Sequence, residues 1–211
     1  MKTLGIIAQK GGSGKTTLGI HLAVRAVTAG LEVLLVDLDP QGSATAWWQR
    51  RRQQAPGLVQ ADGAHLGDVL DRARDSGFQL VIIDTAPHAS AAAVSCAQLA
   101  DRVYIPTRPA ILDLDAIGST AGLLVEIGRA AQVVLNACPP PTRSGEPRIV
   151  GEARQALVAY GIPVNPVALS QRAAFSHALI DGRAVTEFES GGKAAAEIDA
   201  LWLDLSQELF P

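Results

Sequence analysis

Aromatic residues make up only 4% of this 211-residue chain, which has two cysteines, one methionine and no apolar run long enough for a membrane-spanning helix. Each shortage removes a class of protein. Cys96 and Cys138 lack CxxC spacing, so they supply neither a disulfide frame nor a metal or redox pair, and their apolar surroundings fit buried thiols. Positive charge is short as well. Eighteen Lys and Arg stand against 21 Asp and Glu, a net charge of −3, so any binding to DNA needs a local patch rather than a generally basic surface. The opening MKTLGIIAQKGG turns glycine-rich too soon for a signal peptide, and the expectation is a soluble, cytoplasmic protein with no membrane partner. What the chain has in quantity is core material. Hydrophobic residues reach 48% and charged residues only 18%, without a low-complexity tract, which suits one α/β domain spanning 1–211.

Short apolar runs alternate with longer helical patterns along the whole chain. Thr3–Ala8, Glu32–Asp37, Gln79–Asp84, Arg102–Pro106, Ala131–Ala137 and Pro163–Ala168 read as strands, with Leu58–Ala61 a weaker one. Lys15–Ala29, Ser43–Gln54, His65–Ser76, Ala89–Ala100, Asp113–Gly128, Arg148–Tyr160, Arg172–Ile180 and Gly192–Phe210 read as helices. Val33-Leu34-Leu35-Val36 and Leu80-Val81-Ile82-Ile83 do not alternate, which implies burial on both faces. The predicted fold is a doubly wound, mostly parallel twisted sheet with helices on both faces. Pro139–Pro147, PPPTRSGEP, reads as a loop and candidate flap.

The densest chemistry lies in Lys10-Gly11-Gly12-Ser13-Gly14-Lys15-Thr16-Thr17, between the first strand and the first helix. Such a loop aims backbone N–H groups and a helix N-terminus at phosphate oxygens, with Lys15 for the β- and γ-phosphates and the Thr16 hydroxyl for Mg²⁺. The usual motif has glycine five residues before Gly14, where this chain has Gln9, and it carries one lysine where this chain has two. Two apolar strands then end in acids: LLVDLDPQG places Asp37 and Asp39, and LVIIDTAP places Asp84, in the crevice where open α/β sheets bind ligands. For any one of them, helix capping is the plain alternative.

With Lys10 at its head, the loop resembles the deviant phosphate-binding loop of the ParA/MinD superfamily of ATPases, P-loop NTPases of the SIMIBI type. The resemblance implies ATP and Mg²⁺ as ligands, with Gly11, Gly12, Ser13, Gly14, Lys15, Thr16 and Thr17 cradling the phosphates. It implies that Lys10 reaches the nucleotide of a second subunit in an ATP-bound homodimer; a solvated lysine is the plain reading. Asp39 would orient the attacking water, Asp37 would support the metal and the loop, and Asp84, in the Walker B position, would hold Mg²⁺ through its water shell. Asn136, ending the strand in QVVLNA, stands where relatives contact adenine, or else simply forms a turn.

Gln9, DLDPQG, the Pro109–Asp113 segment and LSQRAAF at Leu169–Phe175 resemble small ParA (ParF-like) partition proteins more than MinD. Where MinD has a basic amphipathic membrane helix, Glu197–Pro211 carries four acids and no Lys or Arg, and its Leu201, Trp202, Leu205 and Leu209 read as a core stripe. The resemblance implies non-specific DNA binding, nucleoid association, and a ParB-like or ribbon-helix-helix partner that stimulates hydrolysis. Candidate DNA contacts are Arg172, Arg183 and Lys193. Arg50-Arg51-Arg52 is a further basic run, read here as a solvated face at a helix end. The cargo stays open: a plasmid, a chromosome, a protein cluster or conjugative machinery. From another class, a metabolic P-loop synthetase or kinase would need neither Lys10 nor DPQG.

Overall fold

The structure is a computed structural model that describes residues 1–87, 91–143 and 145–211. Its sheet consists of β1 (Lys2–Ile6), β2 (Val33–Asp37), β3 (Gly57–Gln60), β4 (Leu80–Asp84), β5 (Arg102–Thr107) and β6 (Ala131–Leu135), in the order β3-β2-β4-β1-β5-β6. Every neighbouring pair is parallel. The helices are α1 (Lys15–Thr28), α2 (Ser43–Arg50), α3 (Leu66–Asp75), α4 (Ala91–Leu99), α5 (Ile111–Asp115), α6 (Ile117–Ile127), α7 (Arg148–Val158), α8 (Ala173–Ala178), α9 (Val185–Phe188) and α10 (Lys193–Leu209).

Both faces of the sheet are covered, as the non-alternating strands require. Leu35, Leu80 and Ile82 point into a core shared with α1, α2 and α10, while Val36, Val81 and Ile83 point into a second core with α3, α4 and α7. Full burial of each such side chain contributes roughly 1.5–3 kcal/mol. The C-terminal stripe behaves as its spacing predicts: Leu201, Trp202, Leu205 and Leu209 are buried in the α1 core. Both cysteines are free and buried.

Three expectations fail for identifiable reasons. Residues 163–168 run parallel to β6 but form only one isolated bridge, Val133 with Val164; the next, Cys138 with Ser170, lies beyond them. Pro163 and Pro166 have no N–H to donate. Arg154 also takes the carbonyls of Asn165 (2.7 Å) and Pro166 (2.9 Å), and the Asn165 side chain accepts from the Val167 N–H, so the chain turns where a ladder would continue. The second helix ends at Arg50 rather than Gln54 because Arg51 is extended and its side chain is turned into the protein. The helix expected over 113–128 starts at Ile111 and divides at Ala116. The start of the helix expected from Ala89 lies outside the described residues, as does Ser144 of the Pro139–Pro147 loop.

Candidate functional site

The site is built at the carboxyl edge of the sheet, where β1 ends and residues 7–14 loop back into α1. Gly12 and Gly14 adopt the left-handed conformation, with φ of 71° and 97°. At Gly14 a Cβ would stand 2.1 Å from the Asn136 amide nitrogen, so glycine is required by both conformation and space. That nitrogen donates to the Ser13 carbonyl at 2.8 Å, which fastens the turn after β6 to a loop 123 residues earlier in the chain. The first N–H groups of α1 lack intrahelical partners and face the hollow of the loop, a ready site for anionic oxygens.

The two lysines part company. Lys15 is buried, and its ammonium donates to the Ala8 carbonyl at 3.1 Å and reaches the Lys10 carbonyl at 3.5 Å. Burial lowers its pKa below the usual lysine value, while Asp84 and Asp39 pull in the opposite direction. The Lys10 side chain is exposed and makes no ion pair or hydrogen bond to a described residue.

The acids also play distinct parts. β2 and β4 pair so that Asp37 lies directly beside Asp84, and Asp84 in turn pairs with Ile6 at the mouth of the loop. Asp37 is wholly buried with both oxygens occupied: it accepts from the Asp39 N–H at 3.1 Å, the Thr45 N–H at 2.9 Å and the Thr45 hydroxyl at 2.8 Å. It therefore ties the loop after β2 to the first turn of α2. Asp39 is half-buried at the surface, and one of its oxygens accepts from the Gln41 N–H at 2.9 Å. Asp84 is the opposite of Asp37. It is fully buried, and neither oxygen has a hydrogen bond of proper geometry to a described residue, although Thr16 faces it. Burial, reinforced by Asp37 and Asp39, pushes its pKa up to about 7 against the pull of Thr16 and Lys15.

An orphaned buried carboxylate beside a hydroxyl is a donor set suited to a hard divalent cation that takes its remaining oxygens from water and phosphate. No group of three or more His, Cys, Asp and Glu side chains that could hold a metal gathers among the described residues.

Beside the loop opens a cleft of ≈ 220 Å³, walled by Thr17, His21, Asn136, Ala137 and Phe175 among others. Ala137 is held at φ 50°, a strained conformation for a residue with a Cβ, where the chain turns after Asn136. His21 accepts from the Val185 N–H through Nδ1 (3.1 Å) and its ring lies 5.2 Å from that of Phe175; burial drops its pKa to about 4.

Of the expected DNA contacts, Arg172 and Lys193 border one shallow hollow, but Arg172 is forked onto Glu197 at 2.7 and 3.0 Å. Arg183 pairs with Asp181 at 2.8 Å over the Phe188 ring. Of these three, Lys193 alone presents an exposed charge with no partner among the described residues. Thr45 and Arg108, which reaches the loop carbonyl of Gly12, were not legible beforehand. Thr45, eight residues beyond Asp37, sits at the third position of α2, where a hydroxyl beside a freed helix N–H is a recognisable signal.

Comparison with known proteins follows the same lines. The chain is 34% identical over 211 residues to "Maintenance of carboxysome distribution protein A" of Gloeobacter kilaueensis, covering 99% of this chain and 94% of that one. It is 31% identical over 156 residues to the chromosome-partitioning ATPase Soj of Thermus thermophilus, covering 60% and 63% of the two chains. Its fold matches apo McdA of Cyanothece with a TM-score of 0.82 at 17% identity, over 97% of this chain and 99% of that one. It matches the Mg-ADP complex of MinD from Pyrococcus horikoshii with a TM-score of 0.81 at 16% identity, over 98% and 96%. No helix among the described residues is long and apolar enough to cross a membrane. Residues 4–185 match the CobQ/CobB/MinD/ParA nucleotide binding domain, and this chain belongs to that family as a ParA/MinD-type ATPase.

Proposed function

We propose that the protein is a ParA-like switch: two chains close over two ATP molecules, the closed dimer holds non-specific DNA, and hydrolysis releases it so that a cargo is positioned. The observation that carries this reading is the contrast between the lysines, with Lys15 turned inward under the loop and Lys10 left in solvent at the loop's outer edge without a partner among the described residues. A charge so placed is free to cross to a facing subunit, in the manner of a cation supplied in trans to a phosphoryl-transfer site.

In this reading the N–H groups from Gly11 to Thr17 and the Lys15 ammonium hold the phosphates. Thr16 and Asp84 hold Mg²⁺, which neutralises charge that develops on the phosphate oxygens. Asp39 orients water, and Asp37 sets the position of Asp39 through their shared hydrogen bond. Positioning and charge neutralisation do most of the work in such chemistry, which suits a slow hydrolysis awaiting a stimulating partner. That partner is ParB-like or a ribbon-helix-helix protein. Arg172, Arg183 and Lys193 supply part of the DNA surface; the carboxylate partners of the two arginines and the net charge of −3 keep the binding modest, and its contacts with phosphate weaken as salt rises. The resemblance over 99% of the chain to a carboxysome distribution protein favours a protein assembly as the cargo.

Sedimentation with ATP and Mg²⁺ tests the switch. Wild type is expected to dimerise, Asp39→Ala to remain a trapped dimer, and Lys10→Ala to lose hydrolysis. A chain that stays monomeric with ATP in both wild type and Asp39→Ala overturns the sandwich dimer.

A further inference from the structure

The cleft beside the loop has three basic residues on its walls, and two of them are already answered. Arg172 is forked onto Glu197, and His21 is buried with Nδ1 accepting a backbone N–H. Arg108 differs. It is exposed, it pairs with no carboxylate among the described residues, and its only hydrogen bond among them runs from Nη2 to the Gly12 carbonyl. A guanidinium carries five donors in a planar fork suited to phosphate oxygens, so most of this one's capacity is unspent.

Its placement is built rather than incidental. The residue before it, Thr107, ends β5 and accepts the Asn136 N–H at 2.7 Å, and the residue after it, Pro109, is buried with a fixed φ. At Gly12 a Cβ would stand 3.2 Å from Arg108 Nη2, so the left-handed glycine also makes room for the arginine. Along the site, Lys15, Thr16 and Asp84 mark one end, where terminal phosphates and metal belong. Arg108 shares the other side with Gly14, Thr17 and Asn136, where the loop passes into the cleft.

We propose that Arg108 binds the α-phosphate of the nucleotide held by its own chain. The inference rests on the nucleotide-binding reading above and adds a specific consequence. Because ATP and ADP share the α-phosphate, Arg108 strengthens both complexes equally, unlike Lys10, which acts on the closed ATP dimer. It therefore acts on nucleotide affinity in both states.

The test is equilibrium binding of fluorescent ADP and of a fluorescent non-hydrolysable ATP analogue to wild type, Arg108→Ala, Arg108→Lys and Lys10→Ala, with thermal melting as a control for folding. Arg108→Ala is expected to raise the Kd for both nucleotides by the same factor, about tenfold for one lost charge-assisted contact at an exposed site. Arg108→Lys, which keeps the charge but not the fork, is expected to fall between. An unchanged ADP affinity in Arg108→Ala overturns the assignment, as does a loss confined to the ATP analogue and abolished by Lys10→Ala, which would place Arg108 on the partner's nucleotide. Wild type that binds neither nucleotide overturns the nucleotide reading, and this inference with it.

Discussion

Replacing Arg51 by alanine is expected to destabilise the protein far more than the same change at Arg50 or Arg52. The three arginines are consecutive, but the Arg51 side chain is only 2% exposed. Its guanidinium donates to the carbonyls of Ala55 (2.7 Å) and Gly182 (2.9 Å) and to both carboxylate oxygens of Glu187 (2.7 and 2.8 Å), and it stacks 5.3 Å over Trp47. Truncation would strand two carbonyls and leave Glu187, itself 23% exposed, without its countercharge. Breaking one side of a buried pair costs about 3–5 kcal/mol, and the partial exposure of Glu187 lowers the expectation here to about 2–4 kcal/mol. For a chain of this length that is a fall in Tm of about 5–10 °C. Urea unfolding of the three single variants measures it. Arg50→Ala and Arg52→Ala should stay within about 0.5 kcal/mol of wild type, as exposed substitutions do. A double variant with Glu187→Ala should lose less than the sum of the singles, because the second change removes the stranded charge. If Arg51→Ala unfolds within 0.5 kcal/mol of its neighbours, the buried fork contributes nothing and the reasoning fails.

Gly14→Ala is expected to abolish nucleotide binding while the sheet persists, because its Cβ would displace the Asn136 amide; circular dichroism and a nucleotide-binding assay separate the two, and an unaltered affinity would refute the close approach. Asp84→Asn should raise the melting temperature of the nucleotide-free protein, since it removes a buried carboxylate without hydrogen bonds to described residues, and should lose the extra stabilisation that ATP gives with Mg²⁺ over ATP with a chelator. Thermal shift with and without chelator reads both effects, and retention of the Mg²⁺ increment would exclude Asp84 from the metal site. His21 has its pKa depressed from 6.5 to about 4 by burial, so the unfolded chain binds the proton first as pH falls. The associated stability is fully present above 6.5 and drains away between 6.5 and about 4, a loss on the order of 3 kcal/mol. Urea titrations at pH 7 and pH 5 should show part of that loss in wild type and less of it in His21→Asn; equal slopes in the two proteins would contradict the burial argument.

Much of the fold was legible because its signals are local. Unbroken apolar runs ending in aspartate announce strands buried on both faces, and the parallel order followed from the alternation with helices. The phosphate loop reads from spacing alone, since the left-handed turns at Gly12 and Gly14 and the entry into α1 are made by consecutive residues. The strand expected at residues 163–168 does not form because Arg154, which no local pattern connects with it, takes the carbonyls a neighbouring strand would have used. Asp37, Asp39 and Asp84 look alike in sequence, and only the pairing of β2 with β4 and the contact with Thr45 separate a braced carboxylate from an orphaned one.

The sequence by itself determined the phosphate loop, its second lysine and the two-faced sheet, because those depend on neighbours within a few residues. Tertiary structure decided which like residues do unlike work. Arg51 lies inside while Arg50 and Arg52 lie outside, and Arg108 reaches a loop 96 residues before it. Such differences arise where the chain's ends of separate strands converge, and a charge there takes its role from partners that proximity in sequence does not reveal.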